Sequence, residues 1–428
     1  MTTDLKSRAA AVAVTPAVVS FVASARVRER PHRAYAALRR LDPVHRSPFG
    51  FWVVTGHAEA STVLRDPSFG TDETAHDVRH LHIGPVSRLL GRSDQSEKGA
   101  FLTIAPDLML FRDPPDHTRL RRLVNRAFTP RRVAVLGEAI EQLTAELLAP
   151  LAGRRRFDVM DAFAYPLPAR VICELVGLPP TDHELIADHG RDLAVGLDPL
   201  PTADELARAD RAVIALREHL AEPIRARREQ PRDDLLSDLV AVADDGDRLT
   251  GDELVATLVL ILIAGHETTA NLIGNALVAL DDDPVARQAL AHDPDVVDTA
   301  VEELLRLDPP VQITQRFPGE DTELGGHTIR AGSFVILGLG AANRDPAVFP
   351  DPDRLDLTRS PNPHLAFGAG AHHCVGAALA RLEARIALPA LLRAVPDARV
   401  VRPLPRRRTS LTIRGFRHLW LQREVRAR

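Results

Sequence analysis

Cysteine is scarce in this 428-residue sequence, which contains only Cys173 and Cys374. A small secreted fold held together by several disulfides is therefore excluded, and so is a cluster site that needs four thiolate ligands. A chain of this length buries enough surface to be stable without covalent cross-links. Two cysteines far apart in sequence are typical of a protein of a reducing compartment, and we expect one of them to be free for chemistry.

Lysine is also nearly absent, because Lys6 and Lys98 are the only two and arginine supplies nearly all of the positive charge. The totals are 54 basic and 58 acidic residues, for a net charge of −4. This balance gives no electrostatic case for nucleic-acid binding. Because arginine is abundant throughout the chain, a single arginine is weak evidence for function.

No apolar run reaches the ~18 to 20 residues that a membrane-spanning helix needs. The longest candidate extends from Leu254 to Ala264 and is followed at once by polar and charged residues. Residues 9–22 resemble the apolar part of a signal peptide, but Pro16 interrupts them and Asp4 lies where basic residues are needed. We therefore expect a surface arm there and a cytoplasmic protein that does not enter a membrane.

Apolar residues recur at intervals of three and four along most of the chain, which predicts amphipathic helices. Strand patterns are short and few. No internal repeat or Gly/Ser-rich linker divides the sequence. We therefore predict a mainly α fold with small β-sheets (α+β class), in which an N-terminal arm (1–30) precedes a single domain (31–428). The expected helices are 33–41, 58–64, 117–128, 131–151, 169–176, 204–228 and 233–243, and the expected strands are 51–54, 329–330, 334–337 and a C-terminal pair around Val400 and Leu419.

The longest predicted helix spans residues 250–280. Thr250 is a good N-cap and Glu253 follows three residues later, which is the pattern of a capping box. About 30 residues at a rise of 1.5 Å give roughly 45 Å, enough to cross the molecule. Its apolar first half must be buried, yet its centre places Glu267 and Thr268 in the core. Polar residues in such a buried position indicate either a polar patch whose hydrogen bonds are made by neighbouring side chains or a site of chemistry.

Cys374 lies in a glycine-rich segment, 364–376, directly before a helical pattern that runs from Ala377 to Leu391. Backbone N–H groups and the positive end of a helix stabilise a thiolate in such a position, so that it can hold a metal. The glycines do not complete a dinucleotide-binding pattern, because His373 and Asn343 stand at the third glycine positions. Adjacent histidines also lack the spacing of zinc ligands.

Five motifs make the sequence resemble the cytochrome P450 family of haem-thiolate monooxygenases. The cysteine segment is similar to the family's haem-binding signature at every fixed position, and the resemblance spans about residues 31–423. The motifs are Phe367-x-x-Gly370-x-His372-x-Cys374-x-Gly376; Ala264-Gly265-x-Glu267-Thr268, resembling the oxygen-activation helix; Glu303-x-x-Arg306; Ala342-Asn343-Arg344-Asp345-Pro346 with Asp351-Pro352-Asp353-Arg354, resembling the meander; and Asp113-Pro114-Pro115-Asp116-His117-Thr118-Arg119-Leu120-Arg121, resembling the helix that reaches the haem propionates.

The resemblance implies the cytochrome P450 fold, with the long central helix about 250–280 lying over a haem b. It implies that Cys374 is the proximal iron ligand, whereas Cys173 fits an inert buried thiol. Three further groups of residues would hold the cofactor and its surroundings. Phe367, Gly368 and Gly376 would shape the ligand loop; His117, Arg121, Arg316 and His372 would contact the propionates; and Glu303, Arg306 and Arg354 would form a structural triad beneath the haem.

Glu267 and Thr268 match the family's acid and alcohol pair, which delivers protons during dioxygen reduction. An intact pair favours dioxygen plus electrons over a peroxide-driven variant. The sequence has no flavin or iron–sulfur segment, so the resemblance implies a separate ferredoxin or flavodoxin with its reductase. The candidate docking surface for that partner is a basic patch of Arg119, Arg122, Arg126, Arg131 and Arg132.

Variable loops determine substrate choice in this family, and residues 71–112 and 193–206 are the candidates here. The first loop is rich in apolar residues, which favours a hydrophobic small-molecule substrate. We predict a monooxygenase that inserts one oxygen atom of dioxygen into such a molecule by hydroxylation or epoxidation, by analogy in secondary metabolism. Two alternatives stay open: a haem-thiolate peroxygenase or oxidative coupling enzyme, and a non-catalytic haem sensor or binding protein.

Overall fold

The computed structural model describes residues 24–47, 49–72, 99–198, 201–244, 249–408 and 410–423. Most of the expected N-terminal arm, most of the first candidate substrate loop and part of the second therefore lie outside the described residues. Helices dominate the described chain, and the strands are short. The helices are α1 (Ala25–Glu29), α2 (His32–Leu41), α3 (His57–Arg65), α4 (Ala100–Ile104), α5 (Asp116–Ala127), α6 (Pro130–Leu148), α7 (Pro166–Val176), α8 (His183–Gly196), α9 (Ala203–Glu229), α10 (Leu235–Asp244), α11 (Gly251–Asp281), α12 (Pro284–His292), α13 (Val297–Leu307), α14 (Leu339–Ala342) and α15 (Ala377–Ala394). The strands are β1 (Val44–Arg46), β2 (Trp52–Val54), β3 (Phe69–Gly70), β4 (Arg156–Asp158), β5 (Ile313–Pro318), β6 (Thr322–Leu324), β7 (His327–Ile329), β8 (Val335–Gly338), β9 (Ala398–Val400) and β10 (Trp420–Arg423).

Helix α11 is the central helix predicted from the sequence, and its N-terminus has the expected chemistry. The N–H of Glu253 donates to the Thr250 hydroxyl at 3.1 Å, and the N–H of Thr250 donates to the Glu253 carboxylate at 2.8 Å. Most of the helix is buried, and it packs against α7, α8 and α15. Its length and composition suit a membrane span, but 78% of its most apolar 18-residue window is buried within the protein. It is therefore the core helix of the fold.

The described part of the chain contains three small sheets beside the helices. In the largest the strand order is β1-β2-β8-β5-β3, and antiparallel pairing of β5 with β8 sets Arg316 opposite Val335. The second sheet has the order β4-β10-β9, in which Leu421 lies opposite Val400. This pairing confirms the strands expected near the C-terminus, and the predicted mainly α fold with small sheets is confirmed. Strand β5 was not expected from the sequence pattern, although it carries a predicted site residue.

The described end of the expected N-terminal arm is attached to the rest of the fold. The Arg414 guanidinium donates to the carbonyl oxygens of Arg28 and Glu29 at 3.2 and 3.0 Å, and its Nε binds the Asp308 carboxylate at 2.6 Å. Residues 28 and 29 therefore pack with the domain. The boundary at residue 30 stays a prediction.

A buried ion pair on α13 anchors the chain that leads to the cysteine loop. Glu303 and Arg306 have no exposed surface. Arg306 donates from Nε and Nη2 to the two carboxylate oxygens of Glu303 at 2.7 and 2.8 Å. Its Nη1 donates to the carbonyl oxygens of Asn343 and Pro352 at 2.9 and 2.8 Å. The pair therefore ties α13 to the irregular segment 343–362.

The third arginine of this network is not the predicted one. Arg359 donates from Nε to Glu303 Oε2 at 3.0 Å, and its side chain is 9% exposed. Arg354 is exposed and takes part through its carbonyl oxygen, which accepts from Arg306 Nη2 at 3.3 Å. The prediction of Arg354 as the third member of the triad was therefore wrong. Arg359 Nη1 also donates to the Pro350 carbonyl at 2.9 Å, so the segment folds back and brings residue 359 to the buried carboxylate.

Replacing Glu303 by Gln leaves the guanidinium groups of Arg306 and Arg359 without a counter-charge in a site that water does not reach. Glu303→Gln is therefore expected to lower the free energy of unfolding by roughly 3 to 5 kcal/mol. Arg354→Gln, a matched change at an exposed arginine, is expected to alter it by no more than about 0.5 kcal/mol. Urea unfolding followed by circular dichroism measures both variants. An equal loss of stability in the two would contradict the placement of the Arg354 side chain outside the network.

Candidate active site

A cavity lies beside the middle of α11, and its empty volume, including the part open to solvent, is about 1170 Å³. Ala264, Gly265 and Thr268 line it from α11, and Ala264 is exposed although most of this helix is buried. Cys374 lines the same cavity from the loop that precedes α15. The fold therefore brings the two strongest sequence motifs, about 100 residues apart along the chain, to one space.

The cysteine loop is folded tightly against α3. Gly370 has a φ of +69°, and a Cβ at this position would collide with the carbonyl oxygen of Leu64. Gly368 also has a positive φ, +68°, so glycine is needed at both positions. The N–H of Cys374 donates to the carbonyl oxygen of Phe367 at 2.9 Å. The loop thus presents Cys374 just before the N-terminus of α15, as the sequence predicts.

The Cys374 side chain is exposed to the cavity. Desolvation raises the pKa of its thiol, and this is opposed by the N–H of Gly376 and by the charges of Arg121 and Arg381. A cation bound at the sulfur would lower the pKa further and stabilise the thiolate. Cys173 lies in the hydrophobic core instead, where burial raises the pKa of its thiol to about 12. The two cysteines therefore have the contrasting environments that the sequence predicts.

Phe367 packs beside the loop under a guanidinium group. The Arg381 Cζ atom lies 4.5 Å from the centroid of the Phe367 ring. Arg381 donates from Nε and Nη2 to the Glu302 carboxylate at 2.7 and 2.8 Å, and His364 Nε2 lies 3.0 Å from the same group. Burial opposes ionisation of Glu302, but these partners outweigh it and lower its pKa from 4.5 to about 2. Sequence reasoning missed Glu302 and Arg381, because nothing distinguishes them from other charged residues on helices.

The four basic residues predicted to face the propionates come together beside the cavity. The ring centroids of His117 and His372 are 3.9 Å apart. The charges of Arg121 and Arg316 act on both rings, and Asp113 is the acidic residue that acts on His117 and Arg316. The carboxylate of Asp113 therefore acts on the guanidinium group of Arg316 but not on that of Arg121.

Burial makes this cluster electrostatically costly. It lowers the pKa of Arg316 to about 10, and together with the neighbouring cations it lowers the pKa of His372 to about 3. His117 is buried, and its Nε2 has no hydrogen-bond partner among the described residues. A ligand that carries carboxylates would supply both the counter-charge and the hydrogen-bond acceptors. The cluster therefore suits the anionic end of a bound molecule.

The predicted acid and alcohol on α11 lie on different sides of the helix. Thr268 lines the cavity, and its hydroxyl donates to the carbonyl oxygen of Ala264 at 2.8 Å. Glu267 is 1% exposed and is absent from the described residues that line the cavity. Its carboxylate forms an ion pair with Arg408 and accepts from Asn271 Nδ2 at 2.8 Å. Sequence reasoning missed Arg408, which is one of three consecutive arginines near the C-terminus.

The remaining lining of the cavity is mainly apolar. Glu383 on α15 also lines it, and burial raises the pKa of this carboxyl well above its ordinary value. The cavity therefore offers little to a strongly charged substrate. The apolar lining residues include Leu64, Leu110, Phe128, Ile172, Ile261, Leu272, Leu305, Val311, Leu339, Ala366, Val375 and Leu379.

Two arginines of the predicted docking patch have acidic partners. Arg119 forms an ion pair with Glu253, and Arg132 binds Asp238 at 2.5 Å. Their charges are thus partly compensated within the protein. The role of the patch in partner binding stays a prediction.

The pKa of Glu302 gives a testable pH dependence. Because its folded-state pKa is lowered from 4.5 to about 2, its ionised form stabilises the fold above pH 4.5, and this contribution is lost as the pH falls toward 2. Glu302→Gln is expected to lower the free energy of unfolding at pH 7 by about 1 to 2 kcal/mol, allowing for screening by solvent. The difference from the wild type is expected to shrink as the pH falls and to vanish below the folded-state pKa of about 2.

Urea unfolding at a series of pH values measures this difference. The control is Asp298→Asn, because Asp298 pairs with Arg385 on the same two helices but is 74% exposed. We expect no comparable pH-dependent difference for the control. A deficit in Glu302→Gln that stayed constant from pH 7 to low pH would contradict the role of this carboxylate.

The sequence matches a known protein family and named relatives. The family model described as Cytochrome P450 matches residues 195–395. The vitamin D(3) 25-hydroxylase of Pseudonocardia autotrophica is 43% identical over 374 residues, which cover 86% of this chain and 87% of that protein. The 6-deoxyerythronolide B hydroxylase of Saccharopolyspora erythraea is 38% identical over 410 residues, which cover 91% of this chain and 95% of that protein.

The fold is likewise similar to a solved structure. The crystal structure of P450BioI in complex with hexadec-9Z-enoic acid ligated acyl carrier protein matches with a TM-score of 0.84 at 35% identity. The match covers 93% of this chain and all of that one. The family match at residues 195–395 includes both the long central helix and the cysteine loop. The chain therefore belongs to the cytochrome P450 family.

Proposed function

We propose that Cys374 is the iron ligand of a haem b bound in the cavity of this cytochrome P450 monooxygenase. The observation that carries the proposal is that Cys374 and Thr268 line one mainly apolar cavity from two different elements. When bound, haem supplies the iron at which dioxygen is reduced and one oxygen atom is transferred to the substrate. The N–H of Gly376 and the charges of Arg121 and Arg381 favour the thiolate form that such a ligand needs.

The cationic cluster fits the two propionates of haem. Arg121 and Arg316 would supply positive charge, and His117 and His372 would supply N–H donors, including the unpaired Nε2 of His117. Burial, followed by the neighbouring cations, lowers the pKa of His372, so positive charge in this cluster is costly without such a ligand. Binding of two carboxylates would therefore relieve an electrostatic cost already present in the fold.

We propose that the Thr268 hydroxyl transfers protons into the cavity. Its hydroxyl donates a hydrogen bond to the Ala264 carbonyl oxygen at 2.8 Å, one turn earlier in α11. The hydroxyl oxygen remains able to accept a hydrogen bond or a proton. A hydroxyl can both donate and accept, which suits it to relay protons without carrying a charge into an apolar space. The apolar lining meanwhile limits the bulk water that could divert reduced oxygen to peroxide.

We propose a bulky, mainly apolar small molecule as the substrate. Apart from the cationic cluster, the polar lining consists chiefly of threonine hydroxyls, a thiol and the buried carboxyl of Glu383. Two relatives are named for hydroxylation of vitamin D(3) and of 6-deoxyerythronolide B, which supports hydroxylation in secondary metabolism as the reaction here.

Members of the family receive electrons from redox partners. We propose a ferredoxin or a flavodoxin with its reductase as the donor for this chain, because two cysteines cannot hold an iron–sulfur cluster of its own. We also propose a cytoplasmic location, since both cysteines are free thiols.

The ligand assignment is tested by Cys374→Ser. The wild type, reduced and exposed to carbon monoxide, is expected to show the strongly red-shifted Soret band of a thiolate-bound haem, and Cys374→Ser is expected to lose it completely. The absorption spectrum is the measurement. Cys173→Ala removes the other thiol from the core and is expected to keep the band. A Cys374→Ser protein that kept the thiolate band would overturn the assignment.

The proton-delivery role is tested by Thr268→Ala. Loss of the hydroxyl is expected to raise the share of reductant that ends as hydrogen peroxide by about tenfold, because general acid chemistry contributes factors of that size or more. Peroxide release per reductant consumed is measured with a turned-over substrate. Thr268→Ser restores a hydroxyl and is expected to stay close to the wild type. Equal peroxide release in the alanine variant and the wild type would show that Thr268 carries no protons.

A further inference from the structure

The first turn of α4 is capped by a side chain from another helix. Gly99 stands at the N-cap position of α4 and has no side chain that could accept from the first backbone N–H groups. Asp210 of α9 supplies the acceptor, because its Oδ1 accepts from the N–H of Phe101 at 2.7 Å. A Cβ on residue 99 would collide with this carboxylate, which therefore fills the space of a cap side chain. Asp210 thus acts as the N-cap residue of α4.

A helix as short as α4 depends strongly on such contacts. It has five residues, and an isolated helix of this length is not stable in water. The bond from Asp210 is charge-assisted, and negative charge is favourable at a helix N-terminus. The Phe101 ring is buried and packs at the end of α8, where a Cβ on Gly196 would lie 2.9 Å from its Cζ. The Asp210 bond and the Phe101 ring therefore hold α4 on the pair of helices α8 and α9.

The chain that leaves α4 forms a wall of the cavity. Residues 105–111 follow α4 directly, and residues 105–107 pack against α11. Leu110 of this segment lines the cavity. Because the segment is joined to α4, a displacement of α4 would move this wall.

The α8 side of the contact is fixed to the C-terminal segment. Asp198 follows α8, is 6% exposed, and accepts from the N–H of Leu411 at 2.5 Å. The Thr412 hydroxyl donates to the carbonyl oxygen of Leu197 at 3.4 Å, and the Thr412 carbonyl accepts from the N–H of Gln312 at 2.8 Å. When α4 separates from α9, the end of α8 therefore stays in place.

We propose that Asp210 is a positioning residue that fastens α4 to α9 and so holds the wall 105–111 at the cavity, and that breaking this bond opens a path for the substrate. Asp210 is not among the described residues that line the cavity, so it acts through α4 and not by touching the substrate. No covalent bond changes, because one hydrogen bond to the Phe101 N–H is exchanged for one to water. The gating role rests on the proposed function, whereas the fastening of α4 does not.

Hydrogen exchange of the purified protein tests the fastening. Asp210→Ala is expected to raise the exchange rate of the α4 amides by about tenfold or more, because a charge-assisted bond is lost. Mass spectrometry of peptides that contain residues 99–104 measures this rate. Glu218→Ala, at an exposed acid of the same helix, is expected to leave it within about twofold of the wild type. Unchanged exchange of α4 in Asp210→Ala would overturn the proposal.

Binding of 4-phenylimidazole tests the gating, because an imidazole nitrogen binds haem iron and shifts the Soret band. In Asp210→Ala, the association and dissociation rate constants are both expected to rise by about tenfold, which leaves the Kd within about twofold of the wild type. Equal rises indicate a wider path, since Asp210 does not touch the bound molecule. Asp210→Asn keeps an oxygen for the Phe101 N–H and is expected to stay within about threefold of the wild type.

Two outcomes of this measurement would overturn the gating role. One is that Asp210→Ala leaves either rate constant unchanged, and the other is that Asp210→Asn raises both as much as Asp210→Ala does. Failure of 4-phenylimidazole to shift the absorption of the wild type would instead overturn the proposed haem site. The exchange measurement would still decide whether Asp210 fastens α4.

Gly99→Ala breaks the same bond without a change at Asp210, in case Asp210→Ala does not fold. The new Cβ displaces the Asp210 carboxylate, which can swing away because it is the end of a flexible side chain. The α4 exchange rate and both rate constants for 4-phenylimidazole are expected to rise as in Asp210→Ala. The control is Gly137→Ala, where a Cβ meets nothing within 4 Å, and it is expected to change neither. Wild-type exchange of α4 in Gly99→Ala would contradict the role of Asp210.

Discussion

The position of the cysteine loop depends on the buried carboxylate of Glu303. Arg306 satisfies this carboxylate and, through Nη1, the carbonyl of Asn343 at 2.9 Å. The Asn343 side-chain oxygen then accepts from the N–H of Leu365 at 2.7 Å, where the loop begins, and Asn362 Nδ2 donates to Glu303 at 3.2 Å. Because each of these groups is buried or nearly so, an unmade bond would cost its full desolvation energy. The network therefore fixes where the loop starts, and the positive φ of Gly368 and Gly370 fixes how it turns.

The charged groups beside the cavity differ from Glu302 and Glu303 in how completely their charges are compensated. Arginines compensate the carboxylates of Glu302 and Glu303, as expected of buried charges that stabilise a fold. Within the described part of the chain, Arg121 and Arg316 have no such complete compensation, and burial lowers the pKa of the imidazoles beside them. A fold that keeps an excess of buried positive charge gains from an anionic ligand. This difference separates the residues that maintain the fold from those that we propose to hold haem.

Much of the helical fold was predictable, because helices are set by local periodicity and caps. Helix α9 was expected at 204–228 and begins and ends at Ala203 and Glu229, and the cap of α11 at Thr250 was expected as observed. Helix α8 was not expected, since Gly190 weakens its pattern. In the fold this glycine lies against the His266 ring, where a Cβ would collide. Strand β5 was missed because it is defined by pairing with β3 and β8, and this pairing cannot be read from the local sequence pattern.

The sequence by itself determined the candidate metal ligand, the long central helix and the motif pair at its centre, because these depend on residue type and on short spacing. It also indicated which histidines and arginines gather beside the cavity, since the resemblance to the family links their motifs. Only the tertiary structure decided that Arg359 and not Arg354 reaches Glu303, and that Arg408 forms an ion pair with Glu267. In an arginine-rich chain, several arginines could pair with a given buried carboxylate as far as the sequence shows. The path of the folded backbone determines which of them lies within hydrogen-bond distance of it.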